Sequence, residues 1–143
     1  MRKISLLEFV FMFGLTFVSS VNANSLTVSP TSIKVTSPTN IGELTLRAAG
    51  ELTLGQIRVM RTDDKATPES MKPTSDVVAS PPALKLRPGQ EITVRLVRKT
   101  NKPVRGKECY RVLVDQIPQK KPGSSTIGFV IRQSIPLCFV AGN

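Results

Sequence analysis

The chain has no histidine and no tryptophan, one tyrosine (Tyr110), and two cysteines among its 143 residues. Without histidine it lacks both the commonest general base and the commonest neutral metal ligand. Two thiols alone cannot fill a tetrahedral zinc site, so Cys109 and Cys138 are not read as a metal centre. There is no Gly-rich phosphate loop and no acidic pair of recognised catalytic spacing, and the serines have no recognisable activating partner. These absences argue against an enzyme and imply no metal and no cofactor. With a single tyrosine, no aromatic platform for stacking nucleotide bases is evident either.

Acidic residues are scarce, 10 Asp+Glu against 20 Lys+Arg. Long apolar runs are scarcer still. The one in residues 9–18 follows Arg2 and Lys3 and precedes Val21-Asn22-Ala23, which reads as a secretory signal peptide over residues 1–23, too short to span a bilayer. The mature chain then starts at Asn24, has no membrane span, and at about 120 residues suffices for one domain with its own core. Removing Arg2, Lys3 and Glu8 with the signal leaves 18 basic residues against 9 acidic. Export and the dispersal of these charges disfavour nucleic acid as a partner, leaving solubility, an acidic partner or an anionic surface as readings of the charge. An even cysteine count in an exported chain favours a Cys109–Cys138 disulfide. In the chain-entropy account, closing a loop of this length stabilises the fold by about 3 to 4 kcal/mol.

What the chain does have is alternation. In residues 126–140, TIGFVIRQSIPLCFV, the apolar Ile127, Phe129 and Ile131 alternate with Gly128, Val130 and Arg132, a strand with two different faces. It follows ECYRVLVDQIP across the short connection KKPGSS, so the two segments read as a hairpin with the cysteines near its open end. If the cysteines sit directly opposite each other, Asp115 faces Arg132.

Upstream, SLTVSPTSIKV alternates on both sides of Pro30, an edge strand interrupted by proline. Residues 43–47, 56–62, 76–80 and 91–97 supply further short strands. Residues 63–75 read as a long polar loop, Ser80-Pro81-Pro82 as a crossover or corner where a cis bond is allowed, and Arg87-Pro88-Gly89-Gln90 as a turn. About seven short strands without a helical period predict an all-β, immunoglobulin-like seven-stranded β-sandwich forming a single domain, with a small barrel as the runner-up.

Four motifs, VSPTSIKV, DVVASPPALKLRPGQEITVRLVR, ECYRVLVDQIP and FVIRQSIPLCF, occur in an order and at separations that resemble the N-terminal domain of periplasmic pilus-assembly chaperones of the chaperone/usher pathway. DVVASPP, YRVLVDQIP and RQSIP are most similar to its archaic branch. The resemblance covers nearly the whole mature chain and implies a periplasmic protein that binds pilus or fimbrial subunits by donor-strand complementation, assisting pilus assembly. Ile127, Phe129 and Ile131 occupy the donor positions it implies, against the plainer reading that all three face the chain's own core. It leaves open whether an outer-membrane usher is a second partner.

The family's cationic anchor for a subunit's terminal carboxylate falls here on Ser32 and Pro136, neither of which carries a charge. Either capture is lost or the anchor has moved, with Arg111 and Arg132 as candidates beside their plainer reading as a solvated strand face. Ala48 stands where an Asn is usual. Val140 replaces an arginine that helps tie the family's two domains together, while Arg95 and Glu108 match other interdomain charges and read locally as a strand-end ion pair. Residues 24–143 are thus expected to form the N-terminal-like domain without the second chaperone domain. The alternative functions are a secreted immunoglobulin-like structural or adhesive module, or a non-functional truncated chaperone.

If residues 1–23 are a signal peptide, N-terminal sequencing of periplasmic protein should begin at or next to Asn24. An intact N-terminus on cytosolic protein would remove the basis for an oxidising compartment.

Overall fold

A computed structural model describes residues 25–63, 67–119, 123 and 131–142. Alternation becomes strand throughout: β1 (Ser25–Ser29), β2 (Ile33–Thr36), β3 (Ile41–Ala49), β4 (Thr53–Arg61), β5 (Lys72–Pro73), β6 (Val77–Ser80), β7 (Ala83–Leu86), β8 (Glu91–Arg98), β9 (Lys107–Ile117) and β10 (Arg132–Val140). One sheet runs β1-β3-β8-β6 and the other β2-β10-β9-β4-β5, with β7 also paired to β4. The two sheets bury their facing sides to form an immunoglobulin-like sandwich.

The described strands number ten where about seven are predicted, because the edge strand divides at Pro30 and both the polar loop and the stretch after the double proline carry a further short strand. Pro30 does more than interrupt an edge strand: β1 pairs with β3 in one sheet, and after Pro30 the chain enters the other sheet as β2, parallel to β10. The polar loop carries a short helical turn at Pro68–Ser70 and the two-residue β5. The double proline does mark a corner between sheets: β6 pairs with β8, β7 pairs with β4, and the Ser80–Pro81 bond is cis. The predicted turn closes with Gln90 N–H donating to Arg87 O at 3.0 Å, and Gly89 sits at φ 75°, the left-handed value a Pro-Gly turn requires.

The core is the inward parity of each strand. Leu44, Leu46, Val94, Leu96 and Val77 from one sheet meet Val112, Val114, Leu137, Phe139 and Leu86 from the other, all buried. On β4 the inward face is Ile57 and Val59. Tyr110 packs edge-on against Phe139 with ring centroids 6.1 Å apart.

Gly42 occupies an inward position on β3, facing β2 and β10. A Cβ built there would lie 3.1 Å from Ile33 Cγ2, 3.2 Å from Val35 Cγ2 and 3.3 Å from Leu137 Cδ1. Gly42→Val should therefore overpack three strands and destabilise the domain by about 1 to 3 kcal/mol in urea unfolding. Unchanged stability would mean that this edge of the sandwich opens freely.

Candidate functional site

The paired strands β9 and β10 carry Cys109, Arg111, Arg132 and Cys138, and Ile131 directly precedes β10. Their register pairs Cys109 with Cys138, Arg111 with Pro136 and Asp115 with Arg132. Cys109 and Cys138 form a disulfide with Cα atoms 4.2 Å apart, as directly opposed partners on the outward face of the six-stranded sheet. At the other end, Arg132 Nε donates to Asp115 Oδ1. The opposed-cysteine register thus brings Asp115 and Arg132 together as expected. What alternation did not reveal is a second guanidinium: Arg58 on β4 donates to Asp115 Oδ2 through Nη2 at 2.6 Å and Nε at 3.0 Å. Burial pushes the Asp115 carboxyl up, but hydrogen bonds and charge from Arg132 and Arg58 outweigh it and hold the group below the usual carboxylate range.

Arg111 differs from Arg132. Among the described residues no carboxylate lies within ion-pair distance of it, and it lines a depression of about 620 Å³ together with Lys107, Tyr110, Pro136 and the disulfide. Arg61 also borders this depression; its guanidinium lies 6.0 Å from the Tyr110 ring centroid and pairs with Asp76. Ser32 is exposed immediately before β2 and Pro136 is half-buried on β10. Because β2 runs parallel to β10 with Ile33 beside Leu137, both uncharged anchor positions fall in the cross-strand row that contains Arg111.

The apolar alternation of β10 changes environment along its length. Phe139 and Leu137 are fully buried and Ile135 is 4% exposed, while Ile131, of the same parity, is 52% exposed. Its carbonyl still accepts from Gln116 N–H at 3.2 Å, so the ladder reaches it. Between them, Gln133 Nε2 donates to Leu26 O of β1 at 2.7 Å. For Ile131 the core reading fails. Ile127 and Phe129 lie outside the described residues.

Arg95 and Glu108 do not form the expected local pair, because Arg95 is on the outward side of β8 while Glu108 shares the inward parity of Tyr110 and Val112 on β9. Arg95 faces outward, 3.9 Å from Glu43, and both side chains are mostly exposed. Glu108 is instead gripped by Arg98 at 2.8 and 2.9 Å, and Arg98 also donates to the carbonyls of Thr100 and Lys102. Arg98 is 4% exposed, and its inward parity with Val94 and Leu96 was the available signal. Val140 is half-buried opposite Lys107, and Ala48 is buried in the core.

The family described as "Pili and flagellar-assembly chaperone, PapD N-terminal domain" matches residues 25–140. The chain belongs to this family. Among solved structures, the chaperone–tip adhesion subunit complex CsuC–CsuE of the archaic Csu pili of Acinetobacter baumannii matches at 25% identity and a TM-score of 0.69, covering 82% of this chain and 52% of the other. The SafA pilin–SafB chaperone complex of Salmonella enterica matches at 18% identity and 0.67, over 85% and 57%. The E. coli chaperone DraB matches at 22% identity and 0.63, over 82% and 56%. The chain therefore spans little more than half the length of these relatives. No curated protein matches its sequence.

Asp115 makes stability depend on acid. A carboxyl whose folded pKa lies below its ordinary value of 3.8 contributes stability that is present above that value and lost as pH falls through the folded pKa. Asp115→Asn should thus be less stable than the parent at neutral pH, and the gap should narrow as pH drops below 3.8 in chemical denaturation. Curves that stay parallel into acid would show that Asp115 does not act through its charge.

Proposed function

We propose that this chain is a periplasmic, non-catalytic pilus-assembly chaperone domain that binds pilus subunits by lending residues 126–131 as a strand, after loss of a signal peptide over residues 1–23. The observation that carries this reading is the fate of one strand face. From Phe139 to Ile135 it fills the chain's own core, and at Ile131 the same parity emerges into solvent. An exposed isoleucine on a ladder that still offers backbone groups is an aggregation hazard unless a partner covers it. Membership of the pilus-chaperone family supports a subunit as that partner.

In this reading, backbone pairing aligns the subunit along the donor segment, and Ile127, Phe129 and Ile131 enter its groove. Each large apolar side chain buried there contributes roughly 1.5 to 3 kcal/mol. The subunit's terminal carboxylate is taken by Arg111. Arg132 is the weaker candidate, because Asp115 already engages it. Arg111 stands directly across the ladder from Pro136, so the anchor has moved one strand over while keeping its row.

Replacing Ile127, Phe129 and Ile131 together with serine should abolish capture of a pilus subunit in periplasmic co-expression, with little change in melting temperature. An unfolded triple variant would assign the three residues to the domain's own core. A folded variant that captures the subunit normally would exclude strand donation. On the same assay, Arg111→Ala should weaken capture more than Arg132→Ala.

A further inference from the structure

The positive charge of the chain is divided unevenly between its two sheets. On the outward face of the four-stranded sheet, charged strand residues oppose each other in register, Glu43 with Arg95 and Arg47 with Glu91. On the outward face of the six-stranded sheet, alternation places Lys34, Arg58, Lys85, Lys107, Arg111 and Arg132. Asp115 is the only carboxylate among the described strand residues of that face, and it already sits between two of the arginines. Lys34, Lys85 and Lys107 are exposed. One face is thus neutral by pairing, and the other keeps a surplus of one sign.

We propose that the outward face of the six-stranded sheet docks a protein surface rich in Asp and Glu side chains. Asp115 displays the contact in miniature, its two oxygens shared between the guanidinium groups of Arg58 and Arg132. Planar guanidinium forks match carboxylates in this way, and the flanking lysines extend the field that draws an acidic partner in. A lipid surface fits less well. Peripheral membrane binding couples basic residues to large apolar side chains that enter the bilayer. Here the exposed large apolar residues Ile41 and Val78 belong to the other sheet and Ile131 has the inward parity of β10, which leaves Ile117 as the one large apolar side chain of this group on the face. The proposal goes beyond strand donation and does not rest on it.

The test is an NMR titration of the oxidised protein with a short Asp/Glu-rich peptide. Shifts should concentrate on β2, β10, β9, β4 and β7, and binding should weaken by roughly tenfold when salt rises from about 20 to about 200 mM. Lys34→Glu with Lys85→Glu should weaken binding by about tenfold or more, whereas Arg47→Glu with Lys99→Glu should change it little. The second pair makes the same change in net charge at exposed positions off this face. Equal losses from both pairs, shifts on both sheets, or no binding would overturn the proposal. So would preferential binding to phosphatidylglycerol vesicles, which would assign the face to lipid headgroups. The triple serine variant should bind the peptide as the parent does, so failure of strand donation and failure of this docking surface are separable.

Discussion

The rest of the structure depends on the register of the β9–β10 ladder. It runs from Arg132 opposite Asp115 to Val140 opposite Lys107 without an inserted residue. A slip of one position would turn every side chain over, sending Ile135, Leu137 and Phe139 to solvent. It would also part Cys109 from Cys138 and Asp115 from Arg132. A covalent bond near one end and an ion pair at the other therefore specify the same phase, and burial between them enforces it. Arg58 extends this specification to β4, because Asp115 can be shared by two arginines only if the β4–β9 register also holds.

The second cross-connection is polar and inward. Arg98 belongs to the four-stranded sheet, yet it grips Glu108 of the six-stranded one and two carbonyls of the loop between them. A guanidinium this buried is tolerated because a carboxylate and two carbonyls together satisfy its donors. Truncating it would strand Glu108 beside the disulfide and leave both carbonyls without their donor. The arrangement closes the end of the sandwich at which the hairpin opens.

Much of the hairpin was legible because its contacts are local. One correct cysteine pair fixes every other pair in an antiparallel ladder, so Asp115 and Arg132 followed at once. Arg58 was not legible: its meeting with Asp115 depends on a register between strands 57 residues apart. The break at Pro30 was visible, but the sheet that each half joins depends on which strands have free edges. Arg95 and Glu108 misled because the order of the strands did not show that one side chain would face outward and the other inward, where Arg98 meets it. Among the anchor candidates, Arg111 and Arg132 look alike as sequence, and only the partners that each one meets separate them. Ile131 lay in an alternating run consistent with core or contact, and it is 52% exposed. Ile127 and Phe129 lie outside the described residues.

Gln133 marks the point along β10 where one side's role changes. Its amide reaches the Leu26 carbonyl of β1 in the opposite sheet, a polar seal between buried Ile135 and exposed Ile131. A strand pinned on the core side of such a seal carries its pleat outward with it. Any chain that pairs beyond the seal inherits both the face and the axial position set inside. Inserting one residue after the seal would present the wrong face, and inserting two would keep the face but slide it by about 7 Å. The domain's own core is in this sense a ruler, fixing the phase of whatever continues from it along the strand.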